Sequence, residues 1–292
     1  GGTAIRSINM NKGENGIWQI TVAENLKNSY YTFQVNIGNT WSEEVVDPYA
    51  KACGTNGLRA QVIDLKETNP VGWAQDKSPN FSVSNKQTDA VIYELHVRDA
   101  SIHASSGIKN KGKFLGLAEV GTKNSAGQST GLSHIKELGV THVHLLPFYD
   151  YNSVDETKAA VQYNWGYDPV NYNIPEGSYS TNPADGKVRI KELKELIKTM
   201  HSNGLRIIMD VVYNHTALTK NSNFNTLVPD YYYRKRADGS FSDASSCGNE
   251  TASDHAMFQK FIIESVVYWV NEYHIDLSLI HISEPTRQAE IS

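Results

Sequence analysis

Three apolar runs, AVIYELHV at 90–97, VTHVHLL at 140–146 and LRIIMDVVY at 205–213, constrain this chain more than any other feature. Each has strand length and β-branched content, and the chain between successive runs is long enough to hold a helix. The first interval contains STGLSHIKELG, a short helix stopping at Gly139. The second contains a helical pattern from Arg189 to Asn203, with Gly204 as its cap. After the third run a helix is predicted to start at Ser253-Asp254. Its Phe258, Phe261, Ile262, Ser265, Val266, Trp269, Val270 and Tyr273 keep a 3.6-residue spacing. Strands joined by helical crossovers pair in parallel, because antiparallel neighbours need only a tight turn. No Gly-rich phosphate loop follows the first run, which favours a (β/α)8 TIM barrel over a doubly wound sheet. The expectation is the first three to four β/α units of such a barrel over residues 89–276.

The front of the chain has a different period. GIWQITV and YYTFQVNI alternate apolar and polar residues, so Tyr31, Phe33 and Val35 share one face. Residues 1–75 are therefore expected to form a small antiparallel β-sandwich, short of its first strand because the chain starts abruptly before AIRSINM. Residues 76–88, with Pro79, are expected to be a surface linker. Trp18, Trp41 and Tyr31 are expected in the sandwich core, a glucan-binding platform being the alternative.

A hydrophobic content of 39%, a charged content of 20% and a net charge of -5 describe a soluble globular protein. The basic residues are dispersed, which argues against a nucleic-acid or anionic-membrane partner, and Arg234-Lys235-Arg236 reads as a solvated loop. No run approaches the ~20 apolar residues of a membrane span. The start carries neither a signal segment nor an initiator Met, and localisation stays unknown. Cys53 and Cys247 are read as structural thiols.

In a barrel, chemistry gathers where strands end and their following loops begin. DVVYNH closes the third run and places Asp210, Asn214 and His215 at that rim. YNWGYDP, with Trp165, Tyr167 and Asp168, lies in the long loop after the second run. Flat aromatic faces beside Asp, Asn and His suit a sugar ring, whose C–H faces stack while its hydroxyls need partners. His142 and His144 share a strand face, yet two ligands without a third make a weak metal site, so a hydrogen-bonded layer is expected.

DVVYNH resembles the first conserved region of the α-amylase superfamily (glycoside hydrolase family 13), and YNWGYDP resembles the signature of its type I pullulanase branch. GVTHVHLLPFYDY is similar to the superfamily's second-strand region, and the front portion resembles a carbohydrate-binding family 48 module. The resemblance implies a debranching enzyme that hydrolyses α-1,6 linkages in pullulan, amylopectin or glycogen, with a branched α-glucan as partner. An isoamylase-type debrancher, a glycogen-branching enzyme or a chain acting only as a glucan-binding module are the alternatives. It further implies that Tyr167 stacks on the sugar before the scissile bond and that His215 hydrogen-bonds that sugar. Trp165 would line a neighbouring subsite or pack the loop. Asp210, Asn214 and Asp168 would hold the rim. Calcium occurs in some members near the counterpart of Asn214, although no dense carboxylate loop stands in this sequence. The family mechanism retains configuration, using a carboxylate nucleophile and a carboxylic acid about 5–5.5 Å apart.

Neither of those acids is legible here. After YWVNEYHID the family pattern gives way to LSLIHISEPTRQAEIS, which back-translates from Leu277 to Arg287 into a transposon adapter used in sequencing libraries. Residues 277–292 are therefore expected to be a non-native tail, Glu284 and Glu290 are not catalytic candidates, and the nucleophile and general acid lie beyond the truncation. A sheet left open in this way is expected to be inactive and aggregation-prone.

Overall fold

A computed structural model describes residues 3–84 and 86–281. Strands β1 (Ile92–Leu95), β2 (His142–Leu145), β5 (Arg206–Val212) and β6 (Leu277–His281) form one parallel sheet in the order β6-β5-β2-β1. Between β2 and β5, strands β3 (Tyr149–Tyr151) and β4 (Pro169–Pro175) make an irregular antiparallel ribbon with two register shifts. The helices are α1 (Phe114–Ala118), α2 (Gly131–Glu137), α3 (Gly186–Ser202), α4 (Asn223–Leu227) and α5 (Ala256–Tyr273). Among the described residues no helix is long and apolar enough to cross a membrane.

The three apolar runs form the expected parallel strands, with Ile92, His142 and Arg206 aligned across the sheet. A fourth strand joins them, made by residues that the sequence sets apart as an expected tail: Leu277 pairs with Ile208 and His281 with Val212. The physical reason is local. His274 ends α5 in the left-handed region at φ 57°, which turns the chain back toward β5, and LSLIH has an extended-friendly pattern that adds to a free parallel edge. The 90–97 run is less buried than a central strand would be. Val91, Ile92 and Tyr93 are exposed because β1 is a sheet edge.

Helix α3 starts at Gly186, three residues before the predicted Arg189, because the Asp185 carboxylate accepts from Lys187 N and caps it. Gly186 is required there: a Cβ would lie 2.7 Å from the Cys53 carbonyl oxygen. Helix α5 begins later than predicted, at Ala256, since Ser253 N and His255 N bond back to Thr251 O and Ala252 O in turns. It buries Phe258, Phe261, Ser265, Trp269 and Tyr273. Each large side chain in that stripe contributes about 1.5–3 kcal/mol of burial free energy.

The front segment departs from the expected sandwich. Its described part holds three separate two-stranded ribbons, Asn11–Lys12 with Trp18–Gln19, Tyr30–Tyr31 with Ala60–Gln61, and Asn36–Ile37 with Thr40–Trp41. Trp18 and Trp41 are 59% and 56% exposed rather than in a core. The small apolar cluster that does form, Val46, Ala50, Cys53 and Ala60 with Tyr31 against it, borrows Ile174 from β4. This segment packs on the half of the chain that carries the parallel sheet, through Ile174 of β4.

Two buried ionic devices join the parts. Arg189 of α3 is fully buried, and its guanidinium donates to the carbonyls of Gly54 (3.2 Å), Pro175 (3.1 Å) and Pro183 (2.8 Å). The same group meets Asp150 at 3.4 Å and Glu156 at 3.0 Å. Glu156 also accepts from Asn56 N, so the front segment, the loop after β2 and α3 meet on one cation. At the opposite end, the ring of His201 bridges Asp76 (2.9 Å) and Asp276 (3.0 Å). His274 reaches Asp76 at 2.8 Å while stacking on Trp73 at 4.1 Å. The linker is held rather than loose: Arg206 donates to Pro79 O and lies over the Phe81 ring.

Replacing Arg189 by Met leaves buried carboxylates without their cation, and is expected to lower unfolding free energy by about 3–5 kcal/mol, read from the urea midpoint. Although burial opposes charging His201, the hydrogen bonds and charges of Asp276 and Asp76 win and raise its pKa to about 9. A raised histidine stabilises fully below its unfolded value near 6.5, and that contribution disappears as pH rises through about 9. The thermal midpoint is therefore expected to fall between pH 6.5 and 9, with a loss on the order of 2–3 kcal/mol, and His201→Gln should flatten that slope.

Candidate functional site

The site forms where β5 approaches its C-terminal end. Asp210, 1% exposed, is its centre. The Tyr167 hydroxyl donates to Asp210 Oδ2 at 2.8 Å, and His144 Nε2 reaches the same oxygen at 3.2 Å. On its other side His144 Nδ1 lies 3.4 Å from Glu94 Oε2 of β1, so one chain of polar groups crosses β1, β2 and β5. His281 Nε2 comes within 2.9 Å of Asp210 Oδ1 but out of line for a hydrogen bond, leaving that oxygen without a donor among the described residues. Burial, reinforced by the Asp210 carboxylate, pushes the Tyr167 phenol well above its ordinary range, so it stays a neutral donor.

His215 Nε2 donates to the Tyr167 carbonyl at 2.7 Å, Nδ1 lies 2.7 Å from Asn214 Oδ1, and the His215 carbonyl accepts from Tyr172. Burial lowers its pKa. The ring is 7% exposed and committed to these partners, so in this structure it fixes the backbone that carries Tyr167. The Asn164 amide donates to Asp168 Oδ1 and to Asn152 O, both at 2.9 Å, which ties the loop to its own base. Burial raises the Asp168 pKa. Gly166 sits at φ +91° so close to the segment after β2 that a Cβ would stand 2.9 Å from Pro147. Only glycine allows this turn, and the turn carries Trp165 outward.

Trp165 is 61% exposed and Tyr163 48%. With Asn164, Tyr167 and Asp168 they line an open concavity of about 370 Å³. The structure thus brings four of the six predicted site residues, Asp210, Asn214, His215 and Tyr167, into one bonded network, ties Asp168 separately to Asn164, and places Trp165 beside them in the wall. Open aromatic faces backed by fixed polar groups can bind a sugar by stacking and hydrogen bonding.

The histidine pair forms the hydrogen-bonded layer expected of it: His142 meets Thr141 Oγ1 at 2.7 Å and His144 meets Asp210. Glu94 is not among the expected site residues, although the stretch ELHVRD that it opens closes the first run at the expected rim and it stands opposite His144 on the neighbouring strand. Nor does the sequence announce that Asp150, Glu156 and Glu176 bring carboxylate oxygens within 4.8 Å of one another. Burial pushes Asp150 up to about 7 and Glu176 well above its usual range. The set does not fit calcium as arranged, because Arg189 already supplies a cation between Asp150 and Glu156 and calcium needs six to eight oxygens. At Asn214 the side-chain oxygen faces His215.

Residues 109–261 match the family described as alpha amylase, catalytic domain. The chain belongs to the α-amylase catalytic-domain family. Within it, the pullulanase of Bacillus subtilis (strain 168) is 44% identical over 271 residues, which cover 93% of this chain and 37% of that protein. The crystal structure of a pullulanase from Paenibacillus barengoltzii, in complex with maltohexaose and alpha-cyclodextrin, superposes with a TM-score of 0.92. It shares 53% identity, and the match covers 96% of this chain and 43% of that one. Pullulanase from Bacillus acidopullulyticus gives a TM-score of 0.90 at 48% identity, over 96% of this chain and 34% of its own. The chain spans about two-fifths of the length of the α-amylase-family relatives it matches.

The network makes a differential prediction. Tyr167→Phe removes a donor from a buried carboxylate and is expected to destabilise the fold by about 1–3 kcal/mol, whereas Trp165→Ala in the open wall should cost less than about 0.5 kcal/mol. Paired urea titrations check the difference.

Proposed function

We propose that this chain is the front part of an α-glucan debranching enzyme of pullulanase type, a retaining hydrolase of α-1,6-glucosidic linkages. The observation that carries this reading is the Tyr167–Asp210–His215 constellation at the ends of parallel strands, with the aromatic wall of Tyr163 and Trp165 beside it. Its relatives named pullulanase add support at 44% to 53% identity. In this reading Tyr167 stacks on the sugar preceding the scissile bond and Trp165 meets its neighbour. His215 and Asn214 hold the Tyr167 backbone, Asp210 holds its hydroxyl, and Asp168 holds the loop. A branched α-glucan is the substrate.

In this reading neither reacting carboxylate is among the described residues. Residues 277–292 are an adapter-derived tail, and β6 forms because any short extended segment can occupy the free edge of β5. Residues 1–75 correspond to a family 48 carbohydrate-binding module and 89–276 to the first β/α units of the barrel.

The test uses pullulan. The complete enzyme encoded at the natural locus should release maltotriose, and its Tyr167→Ala variant should lose about 10²-fold in kcat/KM, on the order of 2.7 kcal/mol of transition-state binding. Residues 1–292 should release no reducing ends. Maltotriose absent from the digest by the complete enzyme removes the debranching assignment, and genomic DNA that reads through Asp276 into the present tail removes the adapter assignment.

The exposure of Trp18 and Trp41 favours a second reading, in which the front segment binds glucan by itself. Co-sedimentation with insoluble starch that is lost in the Trp18→Ala, Trp41→Ala double variant would establish it. An unchanged pellet fraction would dismiss those two rings as the platform.

A further inference from the structure

Lys51 lies in the front segment between two buried alanines, Ala50 and Ala52, which fix its backbone against the barrel half. Its ammonium sits 3.7 Å from the centroid of the Tyr268 ring on α5. That ring is itself held edge-on by Trp269 and Tyr273, with centroids 6.0 and 5.8 Å away. Among the described residues no carboxylate lies within ion-pair distance of Lys51 Nζ, and no oxygen accepts a hydrogen bond from it.

The acidic groups facing it are occupied. Glu264 is held by Lys260 at 3.1 Å and Glu272 by Lys194. Asp47 accepts from the Tyr31 hydroxyl at 2.9 Å and from Tyr49 N at 2.8 Å. A half-buried ammonium with an aromatic face but no anionic acceptor is poorly compensated for lost water, and an aromatic contact returns only about 0.5–2 kcal/mol. Burial accordingly brings the Lys51 pKa down to about 8, against the smaller opposing pull of Asp47, Glu264 and Glu272.

We propose that Lys51 is a modification site, selectively acylated by small acyl phosphates. The lone pair of the free amine attacks the acyl carbonyl carbon, a C–N bond forms, and the C–O bond to phosphate breaks. Inorganic phosphate leaves, the Nζ proton passes to solvent, and no oxidant or reductant is needed. The product suits the place: a neutral amide can lie on the Tyr268 ring. A carbamate would instead set a new anion among Asp47, Glu264 and Glu272. Acylation removes a charge where the front segment meets α5.

The experiment is a timed reaction of the whole chain with acetyl phosphate, followed by exhaustive heavy-isotope acetylation and peptide mass spectrometry at each lysine. Lys51 is expected to react at least about fivefold faster than the median lysine at pH 8, with its rate half-maximal near pH 8. In concentrated guanidinium that excess should vanish. Tyr268→Leu, verified by circular dichroism, opens the ammonium to water and should move the half-maximal pH upward. An excess below fivefold, a half-maximal pH above about 9.5, or an excess that persists in denaturant overturns the proposal.

Discussion

One fully buried guanidinium organises this molecule. Arg189 comes from the first turn of α3, yet its donors end on carbonyls of the front segment, of β4 and of the loop before α3, and on two carboxylates after β2. A charge so enclosed is tolerated only when nearly every donor finds an acceptor. That condition fixes several loops at once. Gly177 approaches so closely that a Cβ would meet Glu156 at 2.0 Å and Arg189 at 2.4 Å. The loops thus pinned lead through β4 to Tyr172, which donates to the His215 carbonyl at the rim. The position of the aromatic wall therefore depends in part on an ion cluster outside it.

Asp210 plays the corresponding part at the rim. It gathers Tyr167 from the loop after β2 and His144 from β2 itself, and His144 in turn reaches Glu94 on β1. The buried carboxylate converts three separate strands into one polar layer, and the rigidity of Tyr167 follows from it. Trp165 and Tyr163 are the more exposed part of the wall, Tyr163 packing against the His96 ring and beneath Arg98.

Much of this was legible beforehand in particular residues. The strand runs read as strands because their apolar content is continuous, and DVVYNH and YNWGYDP marked the rim because strand ends carry chemistry in a parallel barrel. What failed were statements about partners. The alternation in YYTFQVNI says that one face is apolar but not what covers it, and among the described residues the front strands form only separate two-stranded ribbons. Trp18 and Trp41 came out exposed for that reason. The Arg189 cluster was equally unreadable, since Asp150, Glu156, Glu176 and Arg189 show no periodic relation until the β3–β4 ribbon folds them together.

The amino-acid sequence alone determined the alternation of strands and helices and the parallel pairing of its three apolar runs, because these rest on local periodicity and on the length of chain between the runs. Tertiary structure decided which charges are buried together, that His215 spends its ring on the Tyr167 backbone, and that a fourth strand pairs with β5. Each of these is set by which surfaces are left uncovered when distant segments meet, and no local stretch of chain contains that information.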